Sequence, residues 1–351
     1  MRASSTTSGD SNVLVGADLP AQPTSHGAVG PSRQTVDIEP LRAVSRRLLL
    51  SFYWVVPLGI AAPLLDRFVF DGALQKVLPQ HPDQLLLWTV IFNVPHLIAS
   101  ELLLLDKEYL RFYRRPLLWA LGAVAVLWVA CALVPPVPAL WIATAITIYH
   151  VLGQQVGILR MMGGGDPGPL LACYRLLAVV IAMIAYAMLI PAIVDSPVNL
   201  RSLTVVCLVL LTLCFAGIWR RLENTRARIY LLANHAMFFA FVPLVSTGYA
   251  FFFLLMPRVV HDLSAFSFYV VHDTNRNRGQ TRGLLYHLFG FTGLPPWVLL
   301  PSASIGIGWV VSELDPTSAL HPIALISFFH YIMEAITWRR SGLHRHSIAL
   351  A

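Results

Sequence analysis

Five histidines lie inside apolar stretches of membrane-spanning length: His96, His150, His235, His261 and His330. An ionisable side chain at such a depth is costly and is usually functional. Neutral imidazole is a good ligand for iron, copper and zinc, and three or four imidazoles leave coordination positions open for oxygen or a substrate. The five side chains therefore indicate a metal site, provided that the fold brings them together.

The composition is typical of a protein embedded in lipid. The chain has 351 residues, of which 56% are hydrophobic and 12% charged, with a mean hydropathy of +0.66. A soluble domain carries about twice that charged fraction. We predict an all-α, polytopic transmembrane helical bundle of about ten spans. The predicted spans are 48–65, 84–105, 116–134, 137–160, 170–194, 200–219, 228–247, 249–272, 296–312 and 320–338.

The distribution of basic residues predicts the orientation of the bundle. Arginines are concentrated in the loops that follow every second span, so the positive-inside rule places both termini in the cytoplasm. We expect an integral protein of the bacterial inner membrane. Residues 1–40 are rich in Ser, Thr, Gly and Pro and predict a disordered tail. The transmembrane domain then covers 41–340, and 341–351 form a short cytoplasmic tail. Prolines in 296–312 favour a kinked or re-entrant segment there.

Composition also argues against two classes of function. The net charge of +7 lies in the loops that set topology, which argues against binding of nucleic acid. The four cysteines lack a CxxC pair, so they predict neither a disulfide framework nor a thiolate zinc site. They are Cys131, Cys173, Cys207 and Cys214.

Depth along the predicted spans places the five histidines in one layer. A helix rises 1.5 Å per residue, so His96, His150 and His330 lie roughly 14 Å from the cytoplasmic ends of their spans. His235 comes out nearer 10 Å and His261 nearer 18 Å by the same count. All five fall in the cytoplasmic half of the membrane, and we predict that they are metal ligands.

Three of the histidines share a helix face with a second polar residue. Glu334 follows His330 by four residues, Gln154 follows His150 by four, and Asn93 precedes His96 by three. Carboxylate and amide groups at such positions can ligate a metal directly or fix the tautomer of the imidazole. We therefore expect catalytic or ligating roles for Glu334 and Gln154, and a supporting role for Asn93.

The eighth predicted span repeats a His-Asp dipeptide. His261-Asp262 and His272-Asp273 are eleven residues apart, which is about three turns, so both pairs share a face. The separation of roughly 16 Å prevents the two histidines from ligating one metal. We therefore place His272 and Asp273 at the cytoplasmic rim, in support of the deeper site. Asp262 has two interpretations, a catalytic or ligating carboxylate and an ion pair with Arg258.

Four short segments resemble a known family. They are Asn93-Val94-Pro95-His96, Ile148-Tyr149-His150 with Gln154, the helix that carries His261 and His272, and Phe329-His330 with Glu334. Their order resembles Brp/Blh-type β-carotene dioxygenases. The resemblance implies a non-haem iron held by His96, His150, His261 and His330, with Glu334 as an accessory carboxylate. The chain more loosely resembles other His-rich membrane iron oxygenases and desaturases, although it has neither an HxxxH nor an HxxHH box.

These observations predict a membrane oxygenase with one or two non-haem iron ions. It would use O₂ to oxidise, desaturate or cleave an apolar lipid-like small molecule, with membrane lipid around it and an electron-donor protein as a further partner. Glu334, Gln154 and Asp262 are the candidate catalytic residues beside the five histidines. Two alternatives stay open: a haem protein, or one with another transition metal, and a proton-coupled transporter with a His/Asp/Glu relay.

Overall fold

The computed structural model describes residues 41–79, 93–163, 168–189, 197–278, 280–313, 316–339 and 341–351. The prediction of an all-α protein is confirmed, since 84% of the structure is helical. The predicted disordered tail, 1–40, and the beginning of the predicted second span, 84–92, lie outside the described residues.

The described part of the chain is built mostly from helices. In chain order they are α1 (Arg46–Ser51), α2 (Val55–Val69), α3 (Ala73–Val77), α4 (Val94–Leu104), α5 (Lys107–Phe112), α6 (Arg114–Leu133), α7 (Pro136–Gly163), α8 (Pro169–Ala187), α9 (Pro197–Arg221), α10 (Thr225–Phe239), α11 (Phe241–Ser246), α12 (Ala250–Arg276), α13 (Leu284–Phe289), α14 (Pro296–Glu313), α15 (Pro316–Thr337) and α16 (Leu343–His346). Two short strands, β1 (Ala43–Val44) and β2 (Ala349–Leu350), pair in parallel.

The prediction of ten spans is wrong. In the part of the chain that the structure describes, six helices are long and apolar enough to cross a membrane. A stretch of apolar sequence is not always an equally long helix. Helix α4, which carries His96, has 11 residues and a length of about 16 Å, short of a hydrocarbon core of about 30 Å. The six are Arg46–Val69, Pro138–Gly163, Pro169–Ala187, Asn199–Arg221, Thr225–Ser246 and Ala250–Arg276.

A bent pair of helices occupies the proline-rich region. Leu284–Thr292 and Pro296–Val311 meet at 106° and make a seventh span if they are counted as one. The bend lies at Gly293, whose φ of +65° favours glycine, and just before Pro296 at the start of α14. The chain therefore bends ahead of the ninth predicted span, and Pro301 lies inside a continuous helix.

Helix α12 lies at the centre of the described helices. It packs against α2, α4, α7, α8, α10 and α14. One face of this helix is fully buried over three turns and carries His261, Ala265, Tyr269 and His272. Between the two histidines this face carries the small Ala265 and the aromatic Tyr269. The small side chain of Ala265 lets a neighbouring helix approach closely.

The two ends of the described domain are fastened to the last turn of α12. The Asn275 side chain accepts a hydrogen bond from the backbone N–H of Arg42 at 2.9 Å, and its amide donates to the carbonyls of Arg42 and Ser347 at 2.8 Å. Residues 341–351 form α16 and β2 and pack against this end. Residues 341–351, which follow the tenth predicted span, are therefore part of the packed structure.

Asp66 follows the first predicted span, 48–65, but it lies inside α2 and is fully buried. Its carboxylate accepts hydrogen bonds from the backbone N–H groups of Leu74 and Gln75, each at 2.8 Å, and from the Tyr249 hydroxyl at 2.7 Å. A buried carboxylate with three donors ties α2, α3 and the start of α12 together.

We expect Asp66→Ala to destabilise the protein because three buried donors lose their acceptor. The expected loss is on the order of 2–3 kcal/mol, seen as a lower thermal midpoint in detergent. Glu223→Ala removes an exposed carboxylate and is the matched control. Equal midpoints for the two variants would contradict this role of Asp66.

Candidate metal site

Four helices each contribute one histidine to a single buried group. His96 comes from α4, His150 from α7, His261 from α12 and His330 from α15. One ligand nitrogen from each ring lies within 4.8 Å of the other three. His96, His261 and His330 are at most 1% exposed, and His150 is the least buried of the four.

The spacing of the ring nitrogens suits a metal ion. Nε2 of His96 lies 3.0 Å from Nε2 of His330 and 3.1 Å from Nε2 of His261. An ion bound about 2.0–2.1 Å from each nitrogen would hold neighbouring ligand atoms about 3.3 Å apart in a tetrahedral site. The observed separations, from 3.0 to 4.8 Å, bracket this value. The four-histidine group could therefore hold one metal ion.

Glu334 adds a carboxylate at the edge of the group. Its Oε2 lies 2.9 Å from Nε2 of His150 and 3.7 Å from Nε2 of His330. The other oxygen accepts from the Tyr269 hydroxyl at 2.9 Å and from Gln154 Nε2 at 3.4 Å. Gln154 thus lies beside Glu334.

The Arg258 side chain bonds to Asn93, which lies three residues before His96, and to Asp262, which follows His261. Its Nε donates to Asp262 Oδ2 at 3.0 Å, and its Nη2 donates to the Asn93 side-chain oxygen. The remaining oxygen of Asp262 lies 3.9 Å from Nε2 of His261 and has no hydrogen-bond partner in the described part of the chain. Asp262 therefore forms the ion pair with Arg258 that the sequence suggested, and its catalytic or ligating role stays a prediction. Asn93 binds Arg258 and does not orient His96, whose Nδ1 is unpaired among the described residues.

The structure does not bring His235 to the group. Its ring stacks on Phe215 of α9 with centroids 4.3 Å apart and an interplanar angle of 11°. The side-chain amide of the adjacent Asn234 donates to the backbone of Tyr230 within the same helix. The predicted depth of a residue says which layer of the membrane it lies in, but not which way its helix face points. The face of α10 that carries His235 is turned towards α9, away from the other four histidines.

His272 and Asp273 belong to a second cluster at the C-terminal end of α12. Nε2 of His272 lies 2.8 Å from the Tyr109 hydroxyl, and Nδ1 lies 3.1 Å from Asp273. Asp273 also accepts from the Tyr286 hydroxyl at 2.5 Å. The His344 ring stacks on His272 at 4.8 Å. Burial beside His272 and Arg276 lowers the pKa of His344 to about 2, so this ring is neutral at physiological pH.

Sequence reasoning missed two neighbours of the histidines. Ser100 Oγ lies 2.5 Å from Nδ1 of His330, so it can fix the orientation of that ring. Tyr269 stacks on His96 with centroids 5.7 Å apart while it donates to Glu334. Ser100 is four residues from His96 and Tyr269 is eight from His261, so helical spacing from the histidines is the signal that would have found both.

Searches of family models, curated proteins and solved structures gave no match. The resemblance of four short segments to Brp/Blh-type enzymes therefore stays a prediction. The convergence of four imidazoles from four helices is what supports a metal site.

Two histidine variants test the membership of the metal group. We expect His261→Ala to lose most of the metal bound by the purified wild-type protein, because it removes one of four converging nitrogens. His235→Ala removes an imidazole on a neighbouring helix and should keep the metal. Metal content per chain by mass spectrometry is the measurement, and equal loss in both variants would contradict the assignment.

Proposed function

We propose that the protein is an integral-membrane non-haem iron oxygenase that uses O₂ to oxidise, desaturate or cleave an apolar lipid-like substrate. The observation that carries the proposal is the four-histidine group. Two of its members, His150 and His261, lie on helices long and apolar enough to cross a membrane. An oxygenase for lipids needs its reactive centre at the depth of the acyl chains. We further propose that both termini face the cytoplasm, as the basic loops indicate.

The donor set favours iron. Imidazoles with one carboxylate and no thiolate suit iron, and such ligand sets leave positions open for a further molecule. Iron in this site would supply the one-electron chemistry that ground-state O₂ requires. The four nitrogens surround one point, which supports a single ion in preference to two.

The side chains around the histidines lower the cost of holding a cation in an apolar interior. Arg258 and Asp262 neutralise each other. Glu334 then adds a negative charge next to His150 and His330. Burial of an unpaired ion is expensive, so this carboxylate favours occupancy of the site by a metal. Gln154 and Tyr269 hold the carboxylate in place.

We propose two routes to the site. A cavity of about 10 Å³, roughly the space that one water molecule needs, is lined by Ser100, Glu101, Tyr269, Glu334 and Trp338. A cavity of this size suits a small molecule such as water or O₂ and is too small for a lipid chain. His150 is the least buried ligand, and the adjacent Tyr149 is 47% exposed. We propose that an apolar substrate approaches on the His150 side.

The geometry favours a bare ion over haem. A porphyrin needs a flat slot between two axial imidazoles. Here Nε2 of His96 is within about 3 Å of two other ring nitrogens. Ring nitrogens this close together leave no flat slot for a macrocycle between His96 and either partner.

The purified protein should contain about one iron per chain and show no Soret band, since four imidazoles hold one ion. In vesicles containing an apolar lipid extract of the producing cells, wild type and His235→Ala should consume O₂. His330→Ala should lose both iron and O₂ uptake. A Soret band, or undiminished iron in His330→Ala, would overturn the proposal.

A further inference from the structure

A row of aromatic rings leads away from the four-histidine group. His96 stacks on Tyr269 with centroids 5.7 Å apart and an interplanar angle of 14°. Tyr269 in turn stacks on Trp338 at 5.9 Å and 15°. The three rings are nearly parallel and extend from a proposed metal ligand to the end of the last long helix.

Trp338 connects this row to the second cluster. Its ring lies 5.5 Å from His344 and 6.0 Å from His272. The His344 ring stacks on Tyr109 with centroids 4.1 Å apart. Successive rings from His96 to Tyr109 are therefore no more than about 6 Å apart, close enough for rapid electron transfer between neighbours.

The row ends near the surface of the described domain. The guanidinium carbon of Arg276 lies 4.5 Å over the Tyr109 ring. Arg276 is paired with Asp106 and with Glu108, and the Glu108 side chain is 53% exposed. A soluble reductant can thus contact Glu108, the residue next to Tyr109 in the chain.

Tyr109 has the partner that a redox-active phenol requires. A phenol that loses an electron becomes a strong acid and must release its proton. The hydroxyl lies 2.8 Å from Nε2 of His272, whose other nitrogen faces Asp273. Burial raises the pKa of Tyr109, so the phenol carries its proton at neutral pH.

We propose that these rings form a one-electron path between the metal site and the Tyr109–His272 pair. The inference rests on the proposed function, since it needs a metal that an oxidant such as a peroxide or O₂ has oxidised. One electron leaves Trp338 for the metal site through Tyr269 and His96. Tyr109 returns one electron to Trp338 and its phenolic proton passes to His272. A one-electron donor at the surface then restores Tyr109, with the proton returning from His272.

The test uses the full-length protein loaded with ferrous iron, mixed with hydrogen peroxide and frozen for electron paramagnetic resonance. Wild type should give a tyrosyl radical that the iron-free protein does not give. Tyr109→Phe should lose the signal. Trp338→Phe keeps a ring that packs but is much harder to oxidise, and it should lose most of the signal. Iron content should be unchanged in both variants.

Tyr113→Phe is the matched control. Its ring lies 6.2 Å from Tyr109 and it also contacts His344, but its hydroxyl does not bond His272. This variant should keep the radical. Full iron content with no radical in wild type, or an undiminished radical in Tyr109→Phe, would overturn the path and leave the metal site standing. Absence of iron binding in wild type would overturn both.

Discussion

Four ring nitrogens that face one another in a buried, apolar setting are the constraint on which the rest of this structure depends. Nε2 of His96 lies about 3 Å from the same atom of His261 and of His330. Nitrogens with lone pairs directed at each other gain little without a proton or cation between them, and unpaired polar atoms are costly in such a place. A bound metal converts the same arrangement into a stabilising interaction between four helices.

Helix α12 is the element that relates the separate parts. Its buried face carries His261 of the metal group, Tyr269 of the aromatic row and His272 of the second cluster. Asn275, one turn further on, fastens both ends of the described domain. The eleven-residue spacing of the two His-Asp pairs therefore corresponds to two sites on one helix face, which aromatic rings connect.

The sequence was informative about depth and composition and less so about helix length and rotation. Helical counting placed His96, His150, His261 and His330 in one layer, and the structure brings these four together. His235 has a similar depth but faces Phe215, since hydropathy does not reveal which neighbour a helix face meets. Ten apolar stretches predicted ten spans, whereas α4 is too short to cross a membrane. Helical spacing can place Ser100 on the same face as His96, but its contact with His330 depends on how two helices pack, which no local pattern encodes.

X-ray absorption at the iron edge of the purified protein would report the ligands of the metal directly. We expect about four nitrogen scatterers near 2.1 Å with the multiple-scattering pattern of imidazole, and fewer in His261→Ala. Sulfur ligands, a porphyrin pattern or a spectrum unchanged in His261→Ala would contradict this expectation.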